Sequence, residues 1–339
     1  MQKRARPTVR DVAGLAGVSV ATVSHVVNGR SGRCTPETRE RVLAAIRRLG
    51  YVPDGAARGL RRGRTDQVCL IAGSIGVPAN AVLAQQLHDG ADAAGYGVIT
   101  LLVDTEARAR RAFDLLQQGI ADGAIVSDPF RCLDRERLTT LAHSRLSMVV
   151  LDNLIEPSGF DVVRIPEREA CAEALDHLFA SGRRRVAFVG HAFDLVPGAE
   201  PTERLAAYLD ALERHGVARD EQLTVVGADD RCQAYWTVTG LMQLREPPDA
   251  LFCASDRAAV SAIWALRDGG FSVPHDVAVI GAGNLREGLV TRPALSTVGP
   301  PERDFADVVG LLLDRLSADG EREDRELVRP WSFIPRGSA

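Results

Sequence analysis

The sequence predicts an α/β protein in which an all-helical N-terminal segment precedes two lobes built on parallel sheets. From residue 8 to residue 49, apolar side chains recur at helical spacing. From residue 67 onward, short apolar runs alternate with helical stretches, a pattern typical of parallel sheets covered by helices on both faces. This second part is about 270 residues long, which is more than one such sheet usually needs.

The stretch from Thr8 to residue 28 predicts two short helices joined by a tight turn. Apolar residues of the first helix recur at i, i+3, i+4 and i+7 and give it one buried face: Val9, Val12, Ala13 and Ala16. Thr8 would cap this helix, with Asp11 in the capping-box position. Gly17 supplies the turn, and Ser19 would cap the second helix.

The second helix predicts a buried valine face and a small, mostly polar outer edge. Its valines cluster on one side: Val23, Val26 and Val27. The opposite side carries Ala21, Ser24, His25 and Asn28, and an edge of this size suits the major groove of DNA. In a helix-turn-helix module the second helix reads bases. The alternative is an ordinary helical hairpin inside a larger core.

The following residues predict a third helix and a short basic segment. Thr35 would cap the third helix, Pro36 would begin it, and Gly50 would end it after Leu49. A helix within residues 53–65 would be too short to be stable alone in water. Its arginines favour a segment that folds when phosphates neutralise it, and the alternative is a flexible basic linker.

Charge is distributed unevenly along the chain. Residues 1–65 carry 14 Lys/Arg and 4 Asp/Glu, a net charge of +10, whereas the remainder carries 27 and 41, a net charge of −14. A basic head on an acidic body indicates that only the head meets a polyanion. A merely solvated basic tail is the alternative, but the charge overlaps a motif with folding signals.

Several classes of protein are not expected from this sequence. No apolar run of about 18 residues is present, so no membrane span is predicted. The N-terminal MQKRARPTVRD lacks an apolar signal-peptide core, so we expect a cytoplasmic protein. The six cysteines are scattered singly, and no metal site or cofactor is predicted. No nucleophile elbow or phosphate loop is found, since AGSIG at 72–76 is not a GxGxxG, so no enzyme is expected and no catalytic residue is assigned.

Residues 8–64 resemble the DNA-binding head and hinge of the lactose-repressor/galactose-repressor (LacI/GalR) family. The matching segments are VRDVAGLAGVSVATVSHVVNG, TPETRERVLAAIRRLGYVPD and AARGLRRGRT. The resemblance implies that Val20, Ala21 and His25 read bases. It also implies that Leu60 enters the minor groove and kinks the duplex. The full set of DNA-contacting residues implied is Thr8, Ser19, Val20, Ala21, Thr22, Ser24, His25, Asn28, Arg33, Ala57, Arg58, Leu60 and Arg61.

The rest of the chain predicts the strands and helices of the two lobes. Strands are predicted over 67–72, 96–103, 123–127, 147–152, 185–190, 222–226, 249–253 and 276–281. Helices are predicted near 79–94, 105–119, 167–181, 201–215, 232–244 and 256–269. Segments such as HLFASGRRRVAFVG and ALFCASDRAAVSAIWALRDGGFSVPHDVAVIG resemble the same family's two-lobed, periplasmic-binding-protein-like effector domain.

The resemblance implies three domains and a chain that crosses three times between the lobes. Residues 1–52 would form the helix-turn-helix domain, 53–65 the hinge helix and linker, and 66–339 the effector-binding and dimerisation domain. The first lobe would comprise about 66–163 and 295–320. The second lobe would comprise about 164–294 and 321–339.

The resemblance also implies an effector site between the lobes, beyond the carboxyl ends of the strands. It places Asp152, Arg204, Asp229, Ser255, Asp256 and Asn284 there. For Arg204 the alternative is a pair with an acid on its own helix, and for Asp256 it is a cap on the helix that follows.

Departures from the family pattern make a neutral hexose a poor fit. Val77-Pro78-Ala79-Asn80 replaces Asn-Pro-Phe-Phe, and Pro166-Glu167 replaces an Asp-Asn pair. Gly281-Ala282-Gly283-Asn284 replaces Gly-Phe-Asp-Asp, so a ligand-binding aspartate is missing. The family's stacking aromatic ring falls near Asp229. The expected pocket therefore lacks its ring stackers and one hydroxyl acceptor.

Together these features predict a homodimeric, sequence-specific DNA-binding transcriptional regulator, most simply a repressor. Its partners would be a palindromic operator in double-stranded DNA and an unknown small-molecule effector, a sugar or related metabolite. One alternative is a ligand-independent regulator with an eroded pocket. Another is a small-molecule binding protein whose head is incidental.

Overall fold

A computed structural model describes residues 7–27, 34–52, 63–127, 133–144, 146–318 and 323–339. The chain forms two compact units, Met1–Thr65 and Asp66–Ala339, called here the head and the body. The predicted hinge helix at 53–65 lies largely outside the described residues. Within them, no helix is both long enough and apolar enough to cross a membrane.

The head contains α1 (Val9–Ala16), α2 (Val20–Val27) and α3 (Pro36–Leu49). The predicted caps at Thr8, Ser19 and Thr35 and the predicted helix ends at Gly17 and Gly50 are confirmed. Gly17 and Gly50 both adopt the left-handed conformation, each with φ of 62°, that L side chains rarely adopt. Fully buried valines from all three helices form the centre of the head: Val12, Val23 and Val42. This core fixes α2 against its neighbours and determines which of its residues face outward.

The first sheet of the body consists of six parallel strands in the order β2-β1-β3-β4-β5-β11. These strands are β1 (Gln67–Ala72), β2 (Gly97–Leu102), β3 (Gly123–Ser127), β4 (Ser147–Leu151), β5 (Asp161–Arg164) and β11 (Glu326–Val328). Helices α5 (Glu106–Gln117) and α6 (Arg135–His143) contribute to the hydrophobic core on one face. Helices α4 (Pro78–Ala94) and α12 (Ala306–Ser317) contribute to the core on the other, so both faces are covered as predicted. We call this layer structure the first lobe.

The second sheet follows the order β7-β6-β8-β9-β10-β12, with only the β10–β12 pair antiparallel. Its strands are β6 (Val186–Gly190), β7 (Thr224–Val226), β8 (Ala250–Cys253), β9 (Ala278–Ala282), β10 (Ser296–Gly299) and β12 (Ser332–Ile334). Its helices are α7 (Arg168–Ala180), α8 (Glu203–Arg214), α9 (Arg231–Leu241), α10 (Asp256–Asp268) and α11 (Glu287–Val290), with 3₁₀ turns at Ala192–Leu195 and Glu221–Leu223. A single apolar core joins this sheet to its helices and defines the second lobe.

The strand pairings correct the predicted lobe bounds at two places. Residues 295–299, assigned to the first lobe, include β10, which pairs with β9 of the second. Residues 326–328, assigned to the second lobe, form β11, which pairs with β5 of the first. β11 is three residues long and lies at a sheet edge with only partial burial, so it carries no apolar run that the sequence could reveal.

A buried carboxylate holds the returning helix α12 on the first lobe. Asp161 has no exposed surface and accepts hydrogen bonds from Arg315 Nη1 at 2.6 Å and from Arg325 Nη2 at 2.7 Å. Arg315 lies on α12, and Arg325 immediately precedes β11. The charge cluster therefore joins two late segments of the chain to β5.

Candidate nucleic-acid interface and effector cleft

The outer edge of α2 is formed by residues that the valine core leaves uncovered. Val20 is 42% exposed and Ala21 is also exposed, while Thr22, Ser24 and His25 are partly covered. An apolar side chain exposed at the first turn of a helix could contact a thymine methyl group, and His25 could exchange hydrogen bonds with a base edge. The described part of the predicted reading surface is therefore brought together on one helix.

Side-chain hydrogen bonds cap the starts of α1 and α2. The backbone N–H and hydroxyl of Thr8 donate to Asp11 Oδ2 at 2.7 and 2.8 Å, and these bonds lower the pKa of Asp11. The Thr22 backbone N–H donates to Ser19 Oγ at 3.1 Å. These bonds satisfy N–H groups that a helix start leaves without partners. The remaining predicted DNA-contacting residues lie outside the described residues: Asn28, Arg33, Ala57, Arg58, Leu60 and Arg61.

At the predicted effector site, which we call the cleft, the guanidinium of Arg204 is held by protein groups. Its Nε and Nη2 donate to Glu167 Oε2 at 3.0 and 2.8 Å, and its Nη1 donates to the carbonyl of Ala254 at 2.5 Å. The ring of Trp331 lies 5.1 Å from the guanidinium carbon. Burial disfavours the charge, but Glu167 more than compensates and raises the pKa of Arg204. The partner acid precedes α7, so it is not on the arginine's own helix as the sequence alternative expected.

Asp256 is a fully buried carboxylate that organises the carboxyl edge of the second sheet. It accepts the backbone N–H of Leu285 at 2.5 Å and the hydroxyl of Thr297 at 2.6 Å. Burial raises its pKa, and these two bonds oppose the shift. A Cβ at Gly281 would come within 2.3 Å of Asp256 Oδ1, which explains a glycine there. The cap of α10 is Ser255, whose Oγ accepts from Ala258 N, so the capping alternative for Asp256 is wrong.

Asn284 and Asp152 each hold local backbone in place. Asn284 has a φ of 51°, and its Nδ2 donates to the carbonyl of Pro300 at 2.9 Å. Its Oδ1 accepts from Arg336 Nη2 at 2.6 Å. Asp152 Oδ1 accepts the backbone N–H groups of two residues that follow β4, at 2.6 and 2.8 Å. Their effector contacts stay predictions.

Aromatic rings lie beside Asp229, although the sequence predicted a pocket without its expected ring stackers. Asp229 Oδ1 lies 3.0 Å from His191 Nδ1, and the His191 ring stacks on Phe193 with centroids 4.9 Å apart. Phe193 belongs to the 3₁₀ turn after β6 and is partly exposed. Phe193 was not predicted as a site residue, because it lies outside the stretches that were matched to the family's ring stackers.

Three further charged residues of the cleft were also missed. Glu203 accepts the backbone N–H of Glu167 at 2.8 Å and the side-chain amide of Asn153 at 2.6 Å. Arg257 and Arg303 each bond backbone carbonyls of residues far away in the chain. No local sequence pattern indicates such pairings, because the partners meet only in the folded body.

Comparison with known proteins identifies the family. A family model for bacterial regulatory proteins of the lacI family matches residues 8–54, and one for the periplasmic binding protein-like domain matches residues 175–339. The HTH-type transcriptional repressor PurR of Erwinia tasmaniensis is 30% identical over 333 residues, which cover 96% of this chain and 95% of PurR. The chain belongs to the LacI family. Catabolite control protein A of Staphylococcus xylosus is also 30% identical, over 98% of both chains.

Solved LacI-family structures share the whole architecture. The transcriptional regulator CelR in its cellobiose complex is 29% identical, with a TM-score of 0.67 over 98% of this chain and 100% of CelR. The lac repressor dimer bound to operator and the anti-inducer ONPF is 22% identical, with a TM-score of 0.73 over 98% of this chain and 99% of that chain, and it shows the shared fold. The predicted fold class and family are confirmed, and this LacI-family protein is a DNA-binding transcriptional regulator.

Proposed function

We propose that this LacI-family regulator is a homodimeric repressor that binds a near-palindromic operator under the control of a small molecule in the cleft. The observation that carries the proposal is the exposed edge of α2, held by a valine core and capped turns. Two copies related by a two-fold axis demand a two-fold DNA site. The similar transcriptional regulator CelR forms a complex with cellobiose, which supports a small-molecule effector for this protein. Repression of genes places the protein in the cytoplasm with the chromosome.

An apolar patch on the second lobe supports the dimer. Leu289 and Val290, on α11, are 52% and 75% exposed, and Trp264 on α10 is 50% exposed. Arg231 joins them, because its guanidinium lies 6.0 Å from the Trp264 ring centroid and also pairs with Glu287 on α11. Exposed apolar side chains grouped beside charged ones are typical of a protein interface.

The experiment that tests this function is selection of bound DNA from a fully random pool, read by sequencing. A palindrome with a central step suited to kinking is the expected result. Recovery of sequences without any shared pattern, with and without cell extract as a source of a co-repressor, would contradict sequence-specific reading.

Substitution of a reading residue should change which bases are preferred. We expect Val20→Ser to relax preference at one position of each half-site by about 1–3 kcal/mol, because an apolar contact to a base is lost. Selection with the variant measures this, with Glu40→Gln on the exposed face of α3 as the control. A uniform loss of affinity for all sequences would show that Val20 does not read bases.

The minor-groove role implied for Leu60 has its own test. Leu60→Ala should weaken operator binding and reduce the bend angle, because the wedge that unstacks the central step is removed. Circular-permutation gel shifts report the bend, and circular dichroism checks that the fold is retained. Equal affinity and bend angle in variant and parent would rule out the wedge.

The dimer surface is tested by introducing charge into its centre. Val290→Arg should convert the dimer to a monomer, since an unpaired charge would have to be desolvated in the interface. Light scattering after gel filtration measures the mass. Val328→Arg is the matched control, because Val328 is also exposed, at 54%, but lies on the first sheet. A dimeric Val290→Arg variant would place the interface elsewhere.

A ligand-independent regulator is the second candidate, and one observation favours it. Every donor-bearing nitrogen of Arg204 already has a protein acceptor, so the residue that the family resemblance assigns to the ligand is occupied. For a ligand-independent regulator, the affinity for the selected operator should be the same with and without cell extract.

A further inference from the structure

Arg257 reaches across the cleft to a neutral partner. It occupies the second position of α10 in the second lobe, and its Nη1 donates to the carbonyl of Gly76 at 2.9 Å. Gly76 follows β1 in the first lobe, so this bond joins the two lobes. Among the described residues, no carboxylate lies within ion-pair distance of Arg257. This contrasts with Arg204, whose charge is neutralised by Glu167.

Arg303 also carries a charge without a carboxylate partner in the described part of the chain. Its Nε donates to the carbonyl of Gly283 at 3.1 Å, and its Nη2 bonds the same oxygen. Gly283, with a φ of 120°, stands where the family resemblance places the ligand-binding aspartate. The sequence has therefore replaced a carboxylate at this edge with glycine, and the fold brings a guanidinium against it.

Both arginines adjoin the same buried residue. Arg257 follows Asp256 in the chain, and the charge of Arg303 acts on the Asp256 carboxyl group. Asp256 has no exposed surface and is already bonded to Leu285 and Thr297, so it is not accessible to either guanidinium as a surface acid. Glu167 pairs with Arg204, Asp229 bonds His191, and Glu203 accepts hydrogen bonds from backbone and amide N–H groups. Arg257 and Arg303 therefore each present a guanidinium group whose direct partner is a neutral backbone carbonyl rather than a carboxylate.

We propose that Arg257 and Arg303 bind the anionic group, a carboxylate or a phosphate, of a small-molecule effector. The proposal rests on the effector-controlled function above and names the chemical class of its ligand. A charged acceptor forms shorter and stronger bonds to a guanidinium than a backbone carbonyl does, so an anion would displace Gly76 and Gly283. Loss of the Arg257–Gly76 bond would remove a contact between the lobes. Binding of the anion would therefore shift the population toward a different arrangement of the two lobes.

The test uses the full-length protein and calorimetric titration at matched ionic strength. The probes are sodium phosphate, sodium gluconate and neutral glucose, with sodium chloride as the background salt. We expect one phosphate or gluconate ion to bind per chain while glucose gives no heat. Stronger binding of phosphate would indicate a phosphorylated effector, and stronger binding of gluconate a sugar acid or other carboxylate.

Variants assign the site within the cleft. Arg257→Gln and Arg303→Gln should each weaken anion binding about tenfold or more, because a charge-assisted bond is lost. Arg267→Gln is the matched control, since Arg267 is exposed in the last turn of the same helix, α10. It should bind as the parent does. Unchanged binding in both cleft variants, or no titratable anion binding by the parent up to about 50 mM, overturns the proposal.

The outcome is separable from that of the proposed function. Selection of a palindrome by a chain that binds no anion would leave the repressor standing and remove the anionic effector. Saturable anion binding that depends on Arg257 and Arg303, in a chain that selects no DNA sequence, would keep the site and overturn the repressor.

Discussion

Asp256→Ala should destabilise the body by about 3 kcal/mol, because it removes the acceptor of one buried N–H and the nearer of two acceptors of one buried hydroxyl, at about 1–3 kcal/mol each. The donors are the Leu285 backbone N–H and the Thr297 hydroxyl, which come from the loop after β9 and from β10. Chemical denaturation followed by circular dichroism measures the free energy of unfolding. This result would show that Asp256 holds the cleft edge together whatever it contributes to an effector.

The neighbouring serine provides the control for this prediction. Ser255→Ala removes the cap of α10 and should cost only about 1 kcal/mol, since one N–H at a helix start is lost and the residue is partly exposed. Equal losses in the two variants would contradict the structural role of Asp256. A stable Asp256→Ala chain with weakened effector binding would assign Asp256 to the ligand instead.

The effect of Asp256→Ala should also depend on pH. Burial raises the pKa of Asp256 above its value in the unfolded chain. The folded state therefore keeps the proton to higher pH, so the group's contribution is full below the unfolded pKa and declines as pH rises through the folded pKa. The difference in melting temperature between parent and variant should narrow from acid toward neutral pH. A gap that widens instead would contradict the raised pKa.

The elements of the head were predicted well from local sequence motifs. The elements of the body were predicted less completely. The caps at Thr8 and Ser19 and the turn at Gly17 were identified because each motif lies within a few residues of sequence. The α/β alternation was equally visible, because buried parallel strands are continuous apolar runs. β11 and β12 were missed, because three-residue edge strands with half-exposed side chains have no distinguishing composition. The short buried strands β5 and β10 and the helices α6, α11 and α12 were also not predicted.

The chemistry of the cleft depended on contacts that sequence position does not encode. The partner of Arg204 is 37 residues away, at the start of α7, and the carbonyl that Arg257 contacts is 181 residues away. Family positions indicated which side chains to consider, but not which were already bonded within the protein. Phe193 lies outside those positions altogether.

The Glu167–Arg204 pair is the second site of large expected effect. Both side chains are mostly buried, with 16% and 19% exposed. Glu167→Ala leaves the guanidinium without its carboxylate, and loss of one partner of such a pair costs about 3–5 kcal/mol. We expect a loss of stability near the lower end of this range, because the partly exposed Arg204 guanidinium can still be reached by water. Glu169→Ala is the control, since Glu169 is an exposed acid in the first turn of the same helix.

Two further measurements distinguish a charge effect from a packing effect at this pair. In the Glu167→Ala chain, acetate should raise the melting temperature more than it does in the parent, because a free carboxylate can occupy the vacated position beside Arg204. The double substitution Glu167→Met with Arg204→Met should recover most of the lost stability, since two apolar chains of similar volume bury no charge. If acetate has no effect and the double variant is as unstable as Glu167→Ala, the pair stabilises the protein through packing rather than through charge. Rescue by acetate would show that Glu167 occupies, within the protein, the place that a ligand carboxylate could take.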